Sequence, residues 1–149
     1  MDLDETDRAI LRALQADARK PFSEIAREIE MSSATVHDRV NQMEDAGVIR
    51  GYHADVDPKA VGFGTSAFVG LRVEQGREDE TLDRLTGIDG VQEVNLTTGE
   101  WDIILRVVAE NTDHLRELMF ERIADMDGFA RSQTMVVLGT EYESAELPL

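Results

Sequence analysis

One short pattern occurs twice in the second half of the chain, as Leu85-x-x-Ile88-Asp89-Gly90-Val91 and as Ile123-x-x-Met126-Asp127-Gly128-Phe129. Each copy closes a run of helical apolar spacing with an Asp-Gly turn and opens a run with the period of a strand. Ahead of the first copy, residues 65–73 alternate, with Ala67, Val69, Leu71 and Val73 on one side. Residues 78–85 follow as a short acidic helix with Leu82 and Leu85 inward. Ahead of the second copy, residues 91–98 and 102–109 are strands joined at Gly99-Glu100-Trp101. Thr112 then caps a longer helix with Leu115, Leu118, Met119 and Ile123 on one face, and residues 129–138 form the last strand. Two successive βαβ units with right-handed crossovers give a ferredoxin-like βαββαβ plait, a four-stranded antiparallel sheet with both helices on one face. These strands are apolar on both sides. Ile103, Leu105 and Val107 face one way, Ile104 and Val108 the other, and Met135-Val136-Val137-Leu138 has no polar break. An antiparallel sheet open to water alternates, so the second face predicts sheet-to-sheet dimerisation.

The preceding part of the chain keeps the helical period. Residues 3–16 form a helix with Asp4 at its cap, Asp7 in its first turn and Ile10, Leu11 and Leu14 on one face. Residues 22–49 read as a short helix carrying Ile25, Ala26 and Ile29, a turn at Glu30-Met31-Ser32, and a second helix carrying Val36, Val40 and Met43. The Ser32 hydroxyl is placed to cap that second helix, and Gly47 to end it in the left-handed conformation. Two helices so joined can lay the second in a DNA major groove. Ser33, Ala34, Thr35, His37, Asp38 and Asn41 face outward, small or polar as base reading requires. On this stretch alone, a helical hairpin packed in some other α-domain fits as well. Residues 51–62 form a linker strand in which Tyr52, Ala54 and Val56 alternate with Gly51, His53 and Asp55. The class is therefore α+β: a three-helix domain over residues 1–50, the linker, the plait over 63–140 and a loose acidic tail over 141–149.

Charge narrows the setting. The chain has 149 residues, 31 acidic and 15 basic, for a net charge of −16. A nucleic-acid binder is expected to show a basic footprint, yet only Lys20 and Lys59 are lysines. An acid-rich, lysine-poor composition fits a halophilic protein in a salty cytoplasm. The Debye length there is about 3 Å at 1 M salt, so repulsion between an acidic surface and DNA is largely screened. With no cysteine there is neither a disulfide nor a thiolate metal site. No apolar run reaches membrane-spanning length and no signal-peptide pattern is present, so a soluble cytoplasmic protein is expected. His37, His53 and His114 show no metal spacing, and no glycine loop is built to cradle phosphate. Neither an enzyme nor a bound cofactor is expected.

Several motifs then line up in order: Leu3-Asp4-x-x-Asp7-x-x-Ile10-Leu11-x-x-Leu14; Glu24-Ile25-Ala26; Met31-Ser32-x-x-x-Val36-x-x-Arg39-Val40-x-x-Met43-Glu44-x-x-Gly47-Val48-Ile49; Gly51-Tyr52-x-Ala54-x-Val56-Asp57-Pro58; and Thr98-Gly99-Glu100-Trp101-Asp102. From Leu3 to Leu138 the chain resembles the Lrp/AsnC (leucine-responsive, feast/famine) family of transcription regulators. The resemblance implies a winged-helix-type helix-turn-helix domain and a plait that dimerises and assembles into tetramers or octamers. It also implies operator binding as a dimer and sensing of an amino acid between dimers. The acidity departs from the family's usual pattern.

Carried onto this sequence, the recognition helix offers Ser33, Thr35, His37, Asp38 and Asn41. Asn41 suits adenine, Thr35 a phosphate or a thymine methyl, and Asp38 cytosine N4. Arg39 either binds phosphate or pairs with Asp7, and Arg27 and Arg50 are the other nearby charges able to meet a backbone. From the residues alone, Gly99-Glu100-Trp101-Asp102 fits an ordinary hairpin turn with Trp101 packed; the resemblance favours a ligand loop in which Asp102 faces the ammonium group of an effector. Backbone N–H groups of Gly99 and Glu100, with the Thr98 hydroxyl, face the carboxylate, and Thr134 adds a hydrogen bond from an adjacent subunit. The rival function is an amino-acid-sensing plait protein that acts through protein–protein contacts with little DNA binding.

Overall fold

The computed structural model describes residues 1–124 and 128–149, with Glu78 described through its backbone alone. Met126 and Asp127 of the second repeated pattern lie outside the described residues. The chain divides into two compact units, Met1–Asp55 together with Tyr142–Leu149, and Val56–Glu141.

The first unit holds α1 (Glu5–Ala16), α2 (Phe22–Glu28) and α3 (Ser33–Asp45). A capping box starts α1: the Asp7 N–H donates to the Asp4 carboxylate at 2.9 Å, and the Asp4 N–H to the Asp7 carboxylate at 3.0 Å. Ile10, Leu14, Ile25, Ala26, Val36, Val40 and Met43 close the core. Both α2 and α3 end with a backward bond over the last turn, from Met31 N–H to Ala26 O and from Val48 N–H to Met43 O, each 2.8 Å. The left-handed residue this geometry needs is Gly47 after α3, at φ 70°, but Glu30 after α2, at φ 55°. A side chain there costs about 1 kcal/mol relative to glycine.

One charge is buried in this unit. Asp7 is 1% exposed, and a carboxylate out of water needs partners. Arg39 of α3 reaches across to it, its guanidinium donating to Asp7 at 3.0 Å and also to Asp4. The Arg39 hydrogen bond, then the Asp7 N–H, holds the Asp4 carboxyl below the usual aspartate range. A depressed carboxyl stabilises the fold above the unfolded-state value, and that contribution disappears as pH falls through the lowered one.

Two expectations for the flanking segments change. The linker strand is not formed within the chain: residues 50–57 pair with no strand among the described residues, leaving Tyr52 and Val56 about half exposed before a 3-10 turn at Lys59–Val61. Alternation specifies an extended backbone, whereas a strand also needs a neighbour. Tyr52 instead donates its hydroxyl to Glu44 on α3 at 2.8 Å. Burial first, and the Glu44 hydrogen bond second, push this phenol up to about 12. The tail is not loose, because its end returns to α1 through hydrogen bonds at Leu147 and Leu149.

The second unit is the plait: β1 (Thr65–Val73), α4 (Glu78–Thr86), β2 (Val91–Leu96), β3 (Ile103–Ala109), α5 (Thr112–Glu117) continuing as a π-helical stretch over Leu118–Ile123, and β4 (Phe129–Val136). The strand order is β2-β3-β1-β4 with every neighbouring pair antiparallel. Asn111, not Thr112, caps α5, its side-chain oxygen accepting from the His114 N–H at 2.9 Å. Ala67, Val69, Leu71, Ile103, Leu105 and Val107 pack under Leu85, Leu115, Leu118, Met119 and Ile123. The Asp-Gly turn before β2 needs its glycine twice over: Gly90 has φ 92°, and a Cβ there would sit 2.7 Å from the Val108 carbonyl oxygen.

The face away from the helices is less uniformly apolar than the sequence suggests. The register sets Phe68, Gly70 and Arg72 beside Arg106 and Ile104 on one flank, and beside Met135, Gln133 and Arg131 on the other. Arg106 lies 3.6 Å from Glu93 and Arg72 3.9 Å from Asp102. Phe68 and Met135 remain about two-fifths exposed. Trp101 lies flat on Gly70, where an added Cβ would meet three ring atoms at 2.6–2.8 Å. Substituting Gly70→Ala should therefore displace this indole, with a red shift in the emission of the chain's single tryptophan. A loss of about 1–3 kcal/mol in denaturant unfolding should accompany it. An unshifted spectrum at unchanged stability would show that the ring does not rest on Gly70.

Candidate functional site

The helix α3 is fixed at both ends before any side chain faces outward. Ser32 Oγ accepts the Thr35 N–H at 3.0 Å and lies 2.8 Å from Thr35 Oγ1, so the Thr35 hydroxyl is engaged with the cap and the residue is half-buried. Val36, Val40 and Met43 take the inner face. The remaining surface carries Ser33, Ala34, His37, Asp38 and Asn41, all exposed. His37 and Asn41, one turn apart, meet at 3.1 Å between Nδ1 and the carboxamide nitrogen. The His37 ring also stands edge-on to Phe22 of α2, with centroids 5.8 Å apart. These contacts limit the rotamers of both side chains on the outer face.

The basic residues divide. Arg39 is held by Asp4 and Asp7, which corresponds to the pairing alternative raised by the sequence. Arg27 closes α2 and Arg50 follows α3, both exposed. Tyr52, tied to Glu44, anchors the chain where it leaves α3. Aromatic and acidic residues eight positions apart carry no periodic signal, so sequence reading passes over this pair.

In the plait, the loop between β2 and β3 is shaped by Thr97. Its hydroxyl donates to the Trp101 carbonyl at 2.6 Å and its N–H to the Asp102 carbonyl at 3.0 Å. Within the loop Thr98, Gly99 and Glu100 are exposed, and Gly99 has φ 108° with open space where a side chain would begin. Asp102 is bound on both sides, its N–H donating to Leu71 O at 3.0 Å and its Oδ2 accepting the Val73 N–H at 2.9 Å. One carboxylate oxygen is thus committed to β1, while the other lies 3.9 Å from the Arg72 guanidinium. Arg131 of β4 stacks over Trp101 at 5.0 Å from the ring centroid and pairs with Glu100 at 3.2 Å. Thr134 is not brought to this loop within the chain. It opposes Val69, which turns it to the helix-bearing face, whereas Trp101 and Arg131 occupy the other. The part of Arg131 was not legible beforehand, because it depends on β4 lying beside β1. Among the described residues no cluster of His, Asp and Glu side chains is placed to hold a metal.

Comparison with known proteins agrees with both halves. Residues 3–44 match the AsnC-type helix-turn-helix domain and residues 66–147 the Lrp/AsnC ligand binding domain. The HTH-type transcriptional regulator FL11 of Pyrococcus abyssi is 33% identical over 100% of this chain and 98% of its own length. Ptr1 of Methanocaldococcus jannaschii, also an HTH-type transcriptional regulator, is 34% identical over 99% of each. The structure of Escherichia coli AsnC superposes with a TM-score of 0.92 at 31% identity, over 98% of this chain and 99% of that one. The transcriptional regulator NMB0573 of Neisseria meningitidis, solved as an L-Met complex, gives 0.93 at 25% identity, over 99% and 97%. With matching domains in the same order and relatives aligned end to end, the chain belongs to the Lrp/AsnC family of helix-turn-helix transcription regulators.

Proposed function

We infer that this regulator reads operator DNA sequence-specifically with the outer face of α3, as a dimer or a higher assembly, and that an amino acid binding at the 97–102 loop modulates it. The observation that carries the first part is the construction of α3. Ser33, Asp38 and Asn41 are presented on a helix capped by Ser32, ended by Gly47 and tied to α1 through Arg39. Thr35 supports the cap and His37 steadies Asn41, so both contribute to the surface through their neighbours. Arg27 and Arg50 meet phosphates, and Arg39 serves the fold.

Dimerisation uses the sheet face that carries Phe68 and Met135, which stay about two-fifths exposed. The effector reading rests on the Asp102 oxygen not bonded to β1, which an ammonium group would share with Arg72 at 3.9 Å, and on the exposed turn at Thr98, Gly99 and Glu100 for a carboxylate. The L-Met complex of the Neisseria relative supports a ligand of this class. Thr134 reaches such a ligand only from another subunit, since its own chain turns it to the opposite face. A ligand between dimers would favour one assembly and so fix the spacing of the reading helices at about 34 Å or a multiple of it. The net charge of −16 supports a salt-rich setting, in which DNA reading would depend on direct contacts more than on long-range attraction. The same charge, with Asp38 on the reading face, is what favours the second reading, an amino-acid sensor acting through protein contacts.

Two measurements check these assignments. In gel shifts at molar salt with the protein's own promoter region, the wild type should bind. The double variant Ser33→Ala/Asn41→Ala should lose about 30-fold or more in operator affinity while staying folded, at about 1–3 kcal/mol for each of two discriminating contacts. No shift with or without amino acids would favour the protein-contact reading instead. In calorimetry at high salt against the twenty amino acids, at least one should release heat, and Asp102→Ala should abolish it. Silence across the whole set, with no change in DNA binding, would remove the sensor.

A further inference from the structure

We propose that the C-terminal segment is an intramolecular clasp, held by a peptide-binding face of α1 built from Arg12 and Gln15. Those two residues lie one turn apart on the helix and so share a face. The Gln15 carboxamide takes both main-chain groups of one residue: its nitrogen donates to Leu147 O at 3.2 Å and its oxygen accepts the Leu147 N–H at 2.7 Å. This reciprocal pair is what a neighbouring strand would offer a peptide, supplied here by a single side chain. Arg12 Nη1 donates to the Leu149 carbonyl oxygen at 3.1 Å, and the Leu149 N–H closes back on Leu147 O at 2.9 Å. The turn across Pro148 thereby presents both oxygens to α1.

The hold is through the backbone, since Leu147 stays 66% exposed. Beneath the segment lies a cavity of about 720 Å³ whose other walls include Leu3, Leu11, Leu14, Ala18, Val48 and Ile49. The segment closes one side of an apolar recess that α1 and the end of α3 leave open. The chain departs from this unit after Asp55 and re-enters it at Tyr142. The reading domain is therefore joined to the plait through two chain segments, and undocking of the clasp releases one of them. No residue of the reading face or of the 97–102 loop takes part.

The chain has no cysteine, so a pair can be introduced cleanly. Ala18→Cys and Ala145→Cys both line the recess and leave the hydrogen-bonding groups intact. A short bis-maleimide added to the full-length protein should link them within one chain, as judged by denaturing electrophoresis. Adding Gln15→Ala should slow that linkage about tenfold, the loss of two hydrogen bonds, with unchanged helical circular dichroism as the control for folding. Linkage at equal rates with and without Gln15 would overturn the clasp. Linkage seen solely as a dimer-sized band would overturn its intramolecular form, because the segment would then dock on a second copy. Should Gln15→Ala disturb the fold, Gln15→Glu serves in its place: it sets a carboxylate oxygen against the Leu147 carbonyl oxygen and should also slow linkage, and an unchanged rate would overturn the clasp.

Discussion

The Arg39 guanidinium sets the orientation on which the reading domain depends. Asp7 starts α1 by closing the capping box and is carried inside by the same helix that buries Ile10 and Leu14. A buried carboxylate tolerates that position only with a cation against it, and α3 provides the cation from the middle of its length. The tie therefore does more than add attraction. It fixes the rotation of α3 about its own axis, because Arg39 must point to α1 while Val36, Val40 and Met43 point into the core. What remains on the outside, Ser33, Asp38 and Asn41 with His37, follows from that rotation.

The plait depends on a different constraint, a sheet covered by helices on one side only. Gly70 and Trp101 partly resolve it. A strand residue without a side chain leaves a flat bed, the sole indole lies in it, and Arg131 covers the indole from above. This places the 97–102 loop against the open face and commits Asp102 to the end of β1. The loop is thus held by backbone bonds on one side while Thr98, Gly99 and Glu100 stay in water, a distribution suited to a binding turn.

Much of this was legible in the residues because it is local. Ser32 as cap, Gly47 as terminator and Gly90 as turn each follow from the conformational limits of one position, and the alternation at Ala67, Val69 and Leu71 from the pleat. What escaped depends on partners distant in sequence or missing from the chain. Whether Arg39 served DNA or fold rested on a carboxylate 32 positions away. The linker has the pattern of a strand and, among the described residues, no strand beside it. Asn111 rather than Thr112 caps α5 by a difference of one position, which propensity does not resolve because both residue types cap well. Thr134 was expected to act from an adjacent subunit, and the register with Val69, which sets it apart from the loop of its own chain, leaves that expectation standing. The tail looked loose because its composition is acidic, yet it is held through its backbone, which composition does not report.

The role given to Arg39 is tested most directly by the salt dependence of operator binding in Arg39→Gln, measured beside its unfolding free energy. If Arg39 serves the fold, the variant loses about 2–3 kcal/mol of stability, the cost of leaving a buried carboxylate without its cation. Under folding conditions the slope of log K against log salt then matches the wild type. A slope reduced by about one unit at unchanged stability is the signature of a lost phosphate contact. That result would contradict the account and return Arg39 to the DNA.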